Sequence, residues 1–500
     1  MKIENAERRL YALWGEIRDL QSVKDLLDWD QETYMPTGGV EARAKMAATV
    51  AALKHQRLTS PELLDTLEIC AEAPEGSVLA AQVRCARLEV DRAVRLSESL
   101  VRELAEARAT GGAAWQKARA ESDFALFEDY LRRLVDLRRQ EAAAIRPSSN
   151  AYDAMLHRFE PGATEASLVP LFRELRDALT PLVKSVTESG ATVDESPASG
   201  DFPEDLQERF SRGLAAAIGF DFDTGRIDRS THPFCIGINP TDVRMTWRCQ
   251  ATDFRSAVFG ILHESGHGLY EQGLPAEWTR TPICDSVSLG IHESQSRLWE
   301  NHVGRSRGFW RWAYPRYRQA FPDAPETDPE RLWPLLHTVR PSLIRVEADE
   351  ATYNLHVIVR FELERKIFAG ELEVEGLPAA WDDLYEELLG IRPGNAAEGV
   401  LQDVHWSQGM FGYFPTYTLG NVIAAQLYEA AERDLGDLEE AFARGEFRSL
   451  LDWMRDRIHR HGGRYEAPEL VERATGKPVA ADDLLAYLRR TTEEVYGSRV

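Results

Sequence analysis

The sequence predicts a large, mainly α-helical protein with a small β-sheet near its functional site. Apolar residues recur at i+3 and i+4 spacing through most of the 500 residues, which is the periodicity of helices that bury one face. One short stretch, 226–247, instead alternates apolar and polar residues, as half-buried strands do.

The helical pattern begins at the N-terminus. Two apolar stripes illustrate it, one formed by Leu10, Leu13, Trp14, Ile17 and Leu20 and the other by Leu126, Tyr130, Leu131, Leu134 and Leu137. Breaks are expected at 36–39 and 73–76, where Pro and Gly favour turns. We therefore predict several antiparallel helices over residues 1–145.

Two segments interrupt the helical pattern in the middle of the chain. Thr187 to Pro203 is rich in Ser, Gly, Pro and acids, which predicts a surface loop or linker. Beyond it, period-two alternation around the turn 239–242 predicts a short β-hairpin. The alternating residues are Ile227, Phe234, Ile236 and Ile238, then Val243, Met245 and Trp247. Helical periodicity then continues to the C-terminus.

Composition indicates a soluble cytoplasmic protein. Lys and Arg number 59 against 82 Asp and Glu, a net charge of −23 that disfavours nucleic acid as a partner. No apolar run long enough to cross a membrane occurs, and the first residues lack a signal-peptide core. The scattered cysteines form no CxxC pair, which is typical of reduced thiols. They are Cys70, Cys85, Cys235, Cys249 and Cys284.

The segment HESGH, His263 to His267, is the most informative motif in the chain. Histidines four apart share one face of a helix, so both imidazoles can reach one metal ion. Glu264 can then take a proton from a water molecule at the metal. The alternative is two solvent-facing histidines on an ordinary helix.

A catalytic zinc site usually takes three protein ligands, so two histidines are incomplete. Ser286 to Arg305 is a second helix-like segment that contains His292 and Glu293. Neighbouring residues on a helix point about 100° apart, so only one of these two should face the ion. Glu293 is favoured because His-His-Glu is a known catalytic set, with His292 as the rival and a surface acid as the alternative.

HESGH followed by HESQ at 292–295 resembles the carboxypeptidase Taq family of thermostable metallocarboxypeptidases. Further segments match that family in order along nearly the whole chain. They are WDQ at 29–31 with MP at 35–36, HPF at 232–234, DVRMT at 242–246, IRVEAD at 344–349 and GVLQDVHW at 399–406.

The resemblance implies a single helical catalytic domain over 1–500 with a deep groove, in which 1–145 forms a lid-like subregion. It implies that His263, His267 and Glu293 bind one divalent metal, zinc first and cobalt as the alternative, with Glu264 as general base. It further implies a homodimer that removes C-terminal residues from peptides with broad specificity.

Two further requirements of this chemistry suggest candidate residues. The oxyanion formed during amide cleavage needs a donor besides the metal, for which His405 and Tyr417 are candidates. A packed core aromatic is the alternative for Tyr417, and a structural role is the alternative for His405. Gln295 is a candidate for orienting a ligand or binding substrate backbone.

Recognition of a free terminal carboxylate favours arginine, whose planar fork matches two oxygens. Arg345 is the first candidate and Arg244 the second. Arg345 could instead pair with Asp349 at i+4 on a helix. Arg244 could instead be held by Asp242, two residues away on the same face of a strand.

Two other functions compete with a carboxypeptidase. One is a zinc oligo-endopeptidase with the same ligand set. The other is a non-catalytic helical binding protein stabilised by a structural metal. Structural zinc sites are usually closed and rich in cysteine, and no cysteine lies near HESGH, which disfavours the second alternative.

Overall fold

The computed structural model describes residues 2–497 and confirms the mainly α-helical fold. The N-terminal helices are α1 (Ile3–Thr33), α2 (Val40–Leu58), α3 (Pro61–Cys70), α4 (Val78–Arg95), α5 (Glu98–Glu121), α6 (Ala125–Ile145), α7 (Ala151–Leu156), α8 (Glu165–Ser189) and α9 (Glu204–Ile218). Three strands follow: β1 (Gly225–Arg229), β2 (Cys235–Asn239) and β3 (Asp242–Trp247).

The remaining helices form the C-terminal half. They are α10 (Arg255–Gly273), α11 (Leu289–Arg297), α12 (Arg307–Ala320), α13 (Pro329–Leu336), α14 (Glu350–Ala369), α15 (Leu377–Leu389), α16 (Pro415–Leu435), α17 (Leu438–Ala443), α18 (Arg448–Arg457), α19 (Ala467–Thr475) and α20 (Asp482–Tyr496). A π-helical turn, Leu298–Val303, directly extends α11.

The predicted breaks at 36–39 and 73–76 both fall between helices, after α1 and after α3. Helices α1 to α4 share a small apolar core of their own, which includes Leu10, Trp14 and Leu67. Helices α5 and α6 instead bury Leu104 and Leu134 in the main core. The apolar packing therefore changes at residue 95, and the lid-like role of 1–145 stays a prediction.

The predicted hairpin is present as β2 and β3, which pair antiparallel. The sheet also has a third strand, because β1 pairs parallel with β3 and gives the order β1-β3-β2. Met245 and Trp247 of β3 are buried in the main core. Ile227, which the alternation assigns to the hairpin, instead lies on the separate strand β1. Parallel pairing joins segments that are distant in sequence, so local periodicity could not reveal it.

The loop prediction for Thr187 to Pro203 is partly wrong. Helix α8 continues to Ser189 and ends at Gly190, whose φ of 66° is the left-handed conformation that closes helices. Phe202 is fully buried, with its ring 5.6 Å from that of Phe254 and 5.3 Å from that of Phe321. The polar composition of the segment concealed this apolar anchor.

Helices α14 and α16 are buried along most of their length and run through the main core. Their buried polar side chains, such as Asn354 and Asn421, hydrogen-bond to each other at 3.0 Å. Within residues 2–497, no helix combines the length and apolar composition that crossing a bilayer requires. The pair of Asn354 and Asn421 shows that the core contains hydrogen-bonded polar side chains, and the functional site described below contains such buried polar pairs as well.

Candidate metal and peptide site

The three predicted metal ligands come together beside a groove of about 560 Å³. His263 and His267 lie one turn apart on α10, with ring centroids 4.9 Å apart. Glu293 on α11 places Oε2 3.8 Å from His263 Nε2 and 3.5 Å from His267 Nε2. We refer to these three residues with Glu264 as the metal cluster.

Two glycines allow the helices of this site to approach closely. A Cβ atom on Gly266, within HESGH, would lie 2.5 Å from the backbone of Gln295 and Ser296 on α11. On α16, a Cβ atom on Gly420 would collide with the side chain of Glu293. Small residues at these crossings therefore let Glu293 reach the histidines of α10.

Each histidine of the metal cluster has a partner on its other ring nitrogen. His263 Nδ1 donates to Glu300 Oε2 at 2.8 Å, and His267 Nδ1 donates to the carbonyl oxygen of His292 at 3.0 Å. These acceptors assign the protons to Nδ1 and leave both Nε2 lone pairs directed towards Glu293. Such outer partners orient histidine ligands at metal sites.

The rival ligand His292 occupies a different place. Its Nδ1 lies 2.6 Å from His267 Nδ1, and its Nε2 lies 2.9 Å from Glu271 Oε1. His292 therefore lies on the Nδ1 side of the His267 ring, away from the Nε2 atoms of His263 and His267 that face Glu293. Glu271 holds it there.

Glu264 is a buried carboxyl group with an unsatisfied oxygen. The residue is 5% exposed, lines the groove, and has no hydrogen-bond partner for Oε2 among the described residues. Burial, with the nearby charge of Glu293, raises the pKa of Glu264 to about 7. A carboxyl group with such a pKa can both take up and release a proton near neutral pH.

The ligand Glu293 is held as an anion by its neighbours. Burial opposes ionisation, but Arg297 and His263 keep the pKa of Glu293 far below its usual value. Arg297 donates to Glu293 Oε1 at 2.7 Å and to Glu300 at 3.2 Å. Arg297 and Glu300 were not predicted, although the i+4 spacing of Glu293 and Arg297 is a recognisable signal.

A second buried charged group borders the groove and consists of Arg345, Arg360 and Asp403, which we call the arginine cluster. Arg345 donates from Nε at 3.1 Å and Nη2 at 2.7 Å to Asp403 Oδ1. Arg360 donates to Asp403 Oδ2 at 2.7 Å. Despite burial, these two guanidinium groups hold the pKa of Asp403 far below its usual value.

The alternative for Arg345, pairing with Asp349 on one helix, is wrong. Arg345 lies in a short 3₁₀ turn, Arg345–Glu347, whereas Asp349 caps the N-terminus of α14. The Asp349 side chain accepts from the backbone N–H groups of Ala351 at 3.0 Å and Thr352 at 2.9 Å. The i+4 rule failed here because the segment is not helical.

His405 and Tyr417 lie against the arginine cluster. Tyr417 OH is 3.3 Å from His405 Nε2, and the guanidinium of Arg345 lies 4.9 Å from the centre of the Tyr417 ring. Burial lowers the pKa of His405 to about 3, and the arginines reinforce this effect. His405 is therefore neutral near pH 7, and burial raises the pKa of Tyr417 well above its usual value.

The two remaining candidates lie in different surroundings. Arg244 donates to both oxygens of Asp242 at 2.9 Å and stacks 4.3 Å above Trp29 of α1. Gln295 is fully buried, and its Oε1 accepts from His459 Nε2 at 2.9 Å. Neither residue is among those described as lining the groove, whereas Arg345 is.

Comparison with known proteins decides what this arrangement represents. The family model for carboxypeptidase Taq (M32) metallopeptidases matches residues 9–492. The chain belongs to the carboxypeptidase Taq family. Thermostable carboxypeptidase 1 of Thermus thermophilus is 44% identical, with 99% of this chain and 100% of that protein covered. Carboxypeptidase 1 of Bacillus subtilis is 36% identical over 99% of this chain and 100% of that protein.

Solved structures of carboxypeptidase Taq family members share the fold. The M32 carboxypeptidase from Deinococcus radiodurans superposes with a TM-score of 0.95 at 40% identity, covering 99% of this chain and 100% of that one. Metallocarboxypeptidase 1 of Trypanosoma cruzi gives 0.94 at 34% identity, covering 98% and 99%. This protein is thus a metal-dependent carboxypeptidase that acts on peptides.

Proposed function

We propose that the metal cluster is the catalytic centre of this carboxypeptidase. We further propose that the enzyme releases C-terminal residues with broad specificity. One observation carries the proposal: three ligand atoms converge next to Glu264, a carboxyl group with a free oxygen at the groove. A metal site open on one side and a base beside it are what amide hydrolysis requires.

We propose zinc as the metal, with cobalt as the alternative. Two imidazole nitrogens and one carboxylate oxygen suit either ion, and the Nδ1 partners Glu300 and His292 carbonyl orient both rings. When bound, the metal would polarise the scissile carbonyl and lower the pKa of a water molecule. His263, His267 and Glu293 would hold it.

The protein groups would then carry the proton. Glu264 would take a proton from the attacking water and deliver it to the leaving amine, which its pKa of about 7 permits. Tyr417, whose hydroxyl keeps its proton at neutral pH, is a donor for the oxyanion. His405 would orient that hydroxyl or donate directly, because the two side chains are 3.3 Å apart.

For the terminal carboxylate we propose Arg345. It lines the groove and uses three of its five N–H groups on Asp403 and Tyr353, which leaves two for a substrate. Arg244 remains the second candidate, since its guanidinium is already held by Asp242 and stacked on Trp29. For Gln295 a role in holding α11 fits its contact with His459 better than contact with substrate.

Four wider expectations also remain proposals. The homodimer rests on family resemblance, and the cytoplasmic location rests on the scattered thiols and the composition. The net charge of −23 favours peptides over nucleic acid as ligands and gives no reason to expect a membrane partner. A lid motion of the N-terminal helices would release contacts such as that of Ser22 Oγ with the carbonyl oxygen of Ile238, at 2.9 Å.

A pair of matched peptides tests the proposal. We expect the peptide with a free C-terminus to be shortened one residue at a time and its C-terminally amidated twin to stay intact. A chelator should stop the reaction, and zinc or cobalt should restore it. Mass spectrometry of the products reads out both results, and equal cleavage of the two peptides would point to an endopeptidase instead.

A further inference from the structure

A second cavity of about 290 Å³ lies among α12, α13, α16 and α20 and is separate from the groove. The π-helical turn Leu298–Val303 divides the two, because Glu300 lines the groove and His302 lines the cavity. π-helical turns are frequent at functional sites. The mechanism proposed above does not use this cavity.

The cavity contains a buried polar side chain without a partner. His302 is 7% exposed and makes no hydrogen bond to any residue within 2–497. Its ring is stacked against Tyr428 at 5.1 Å and lies 4.5 Å from Tyr487. The imidazole therefore keeps its hydrogen-bonding capacity for a ligand or water in the cavity.

Two charged residues on neighbouring helices of the cavity are also unpaired. Glu432 of α16, which is half-buried, and Arg490 of α20, which is exposed, both line the cavity and form no ion pair among the described residues. The other arginine of the cavity, Arg307, is already held by Glu494 at 2.6 Å and stacks 3.6 Å above Trp333. The cavity thus offers one free carboxylate and one free guanidinium beside aromatic faces.

We propose that this cavity binds a free α-amino acid. Arg490 would pair with the α-carboxylate, Glu432 with the α-ammonium, and His302 with either group as donor or acceptor. The rings of Tyr428 and Tyr487 would cover the side chain. The volume lies at the low end of small-molecule sites, roughly 300 Å³ and above, which suits so small a ligand. The choice of ligand rests on the carboxypeptidase activity, which releases amino acids.

A chain of polar contacts connects the cavity to the metal cluster. Tyr487 OH donates to Glu350 Oε1 at 2.9 Å, and Arg305 lies 3.7 Å from both Glu350 and Glu300. Glu300 in turn accepts from His263 at 2.8 Å. A ligand that shifts Tyr487 would therefore alter the outer partner of a metal ligand, so the cavity would regulate metal affinity.

Calorimetric titration with L-leucine tests the site. We expect Arg490→Gln and Glu432→Gln each to weaken cavity binding by about tenfold or more. The control Arg489→Gln changes a neighbouring arginine that is exposed like Arg490 but does not line the cavity, and it should bind as wild type does. Leucinamide and N-acetyl-leucine, which each lack one charge, should bind about tenfold more weakly.

A crystal structure of the zinc-loaded enzyme with L-leucine distinguishes leucine bound in the cavity from leucine bound in the groove as a reaction product. We expect density for leucine between Glu432 and Arg490, and density only in the groove would overturn the proposal. Arg490→Gln that binds leucine like wild type, or leucinamide that binds as tightly as leucine, would overturn it as well. Peptide hydrolysis, assayed separately, reports on the proposed catalytic centre and not on this cavity.

The connection to the metal is tested by zinc affinity in competition with a chromophoric chelator. Leucine should change the zinc affinity of the wild type by about fivefold or more, since coupling between sites is typically of that size. Tyr487→Phe keeps the ring but removes the contact with Glu350, so it should still bind leucine without this change. An unchanged coupling in Tyr487→Phe would contradict the proposed connection.

Discussion

The two charged clusters beside the groove differ in how their carboxylates are satisfied. In the metal cluster, Glu264 keeps a free oxygen, and burial raises its pKa to about 7. In the arginine cluster, Asp403 accepts from both Arg345 and Arg360, and its pKa is held far below normal. Both carboxyl groups are buried, so their hydrogen-bond and ion-pair partners account for the opposite directions of their pKa shifts.

This comparison separates a group that can move a proton from groups that fix the geometry. A buried carboxylate between two arginines stays ionised and locks the loop containing Arg345 and the segment containing Asp403. A buried carboxyl group without a partner lowers stability but titrates near the pH at which it must work. The predictions below test each half of this contrast, in order of expected effect.

The largest effect is expected for Glu264→Gln. Loss of the general base should lower kcat by about 10²- to 10⁴-fold, while the three ligands still hold the metal. Peptide turnover and metal content per chain measure both properties. The exposed Glu277→Gln is the matched control, and unchanged turnover in Glu264→Gln would remove Glu264 from the mechanism.

A smaller effect is expected for Glu300→Ala. The substitution removes the acceptor of His263 Nδ1 without touching a ligand atom. Zinc affinity should fall about 10- to 100-fold, which is typical for outer partners of metal ligands. Competition with a chelator measures it, with Glu277→Ala as the control. A variant with wild-type affinity would show that Glu300 does not orient His263.

Asp403→Asn should act on stability and on substrate binding rather than on metal content. It leaves Arg345 and Arg360 without their counter-ion, a change that typically costs about 3–5 kcal/mol in buried pairs. We expect a lower melting temperature and a raised KM, with zinc content unchanged. The exposed Asp323→Asn serves as the control. A melting temperature equal to that of wild type would contradict the stabilising role of the arginine cluster.

The contrast also explains what the sequence could reveal. His263 and His267 are recognisable because one helix sets their spacing, and Glu293 follows from the need for a third ligand on a nearby helix. Asp403 lies 58 residues from Arg345 and 43 from Arg360 in the sequence, so no local pattern predicts these ion pairs. Glu300 escaped prediction because it lies on a π-helical turn, where α-helical spacing does not apply.

The same reasoning holds for the fold. Helices α1 to α4 and the hairpin of β2 and β3 follow from local periodicity and turn residues. The parallel strand β1 and the buried Phe202 depend on partners that are remote in sequence. Local periodicity also cannot show that Gly266 is needed for the crossing of α10 and α11.

The central claim is that Glu264 is a buried, unpartnered carboxyl group, and metal-free protein tests it most directly. Its pKa rises from 4.5 to about 7 on folding, so the destabilisation from burying it is absent below about pH 4.5, grows between about pH 4.5 and 7, and stays constant above about pH 7. The Gln variant is neutral throughout. We measure the melting temperatures of chelated wild type and Glu264→Gln from about pH 5 to about pH 8. We predict that the variant melts higher near pH 8 and that the difference shrinks as pH falls, whereas a difference independent of pH would contradict the account.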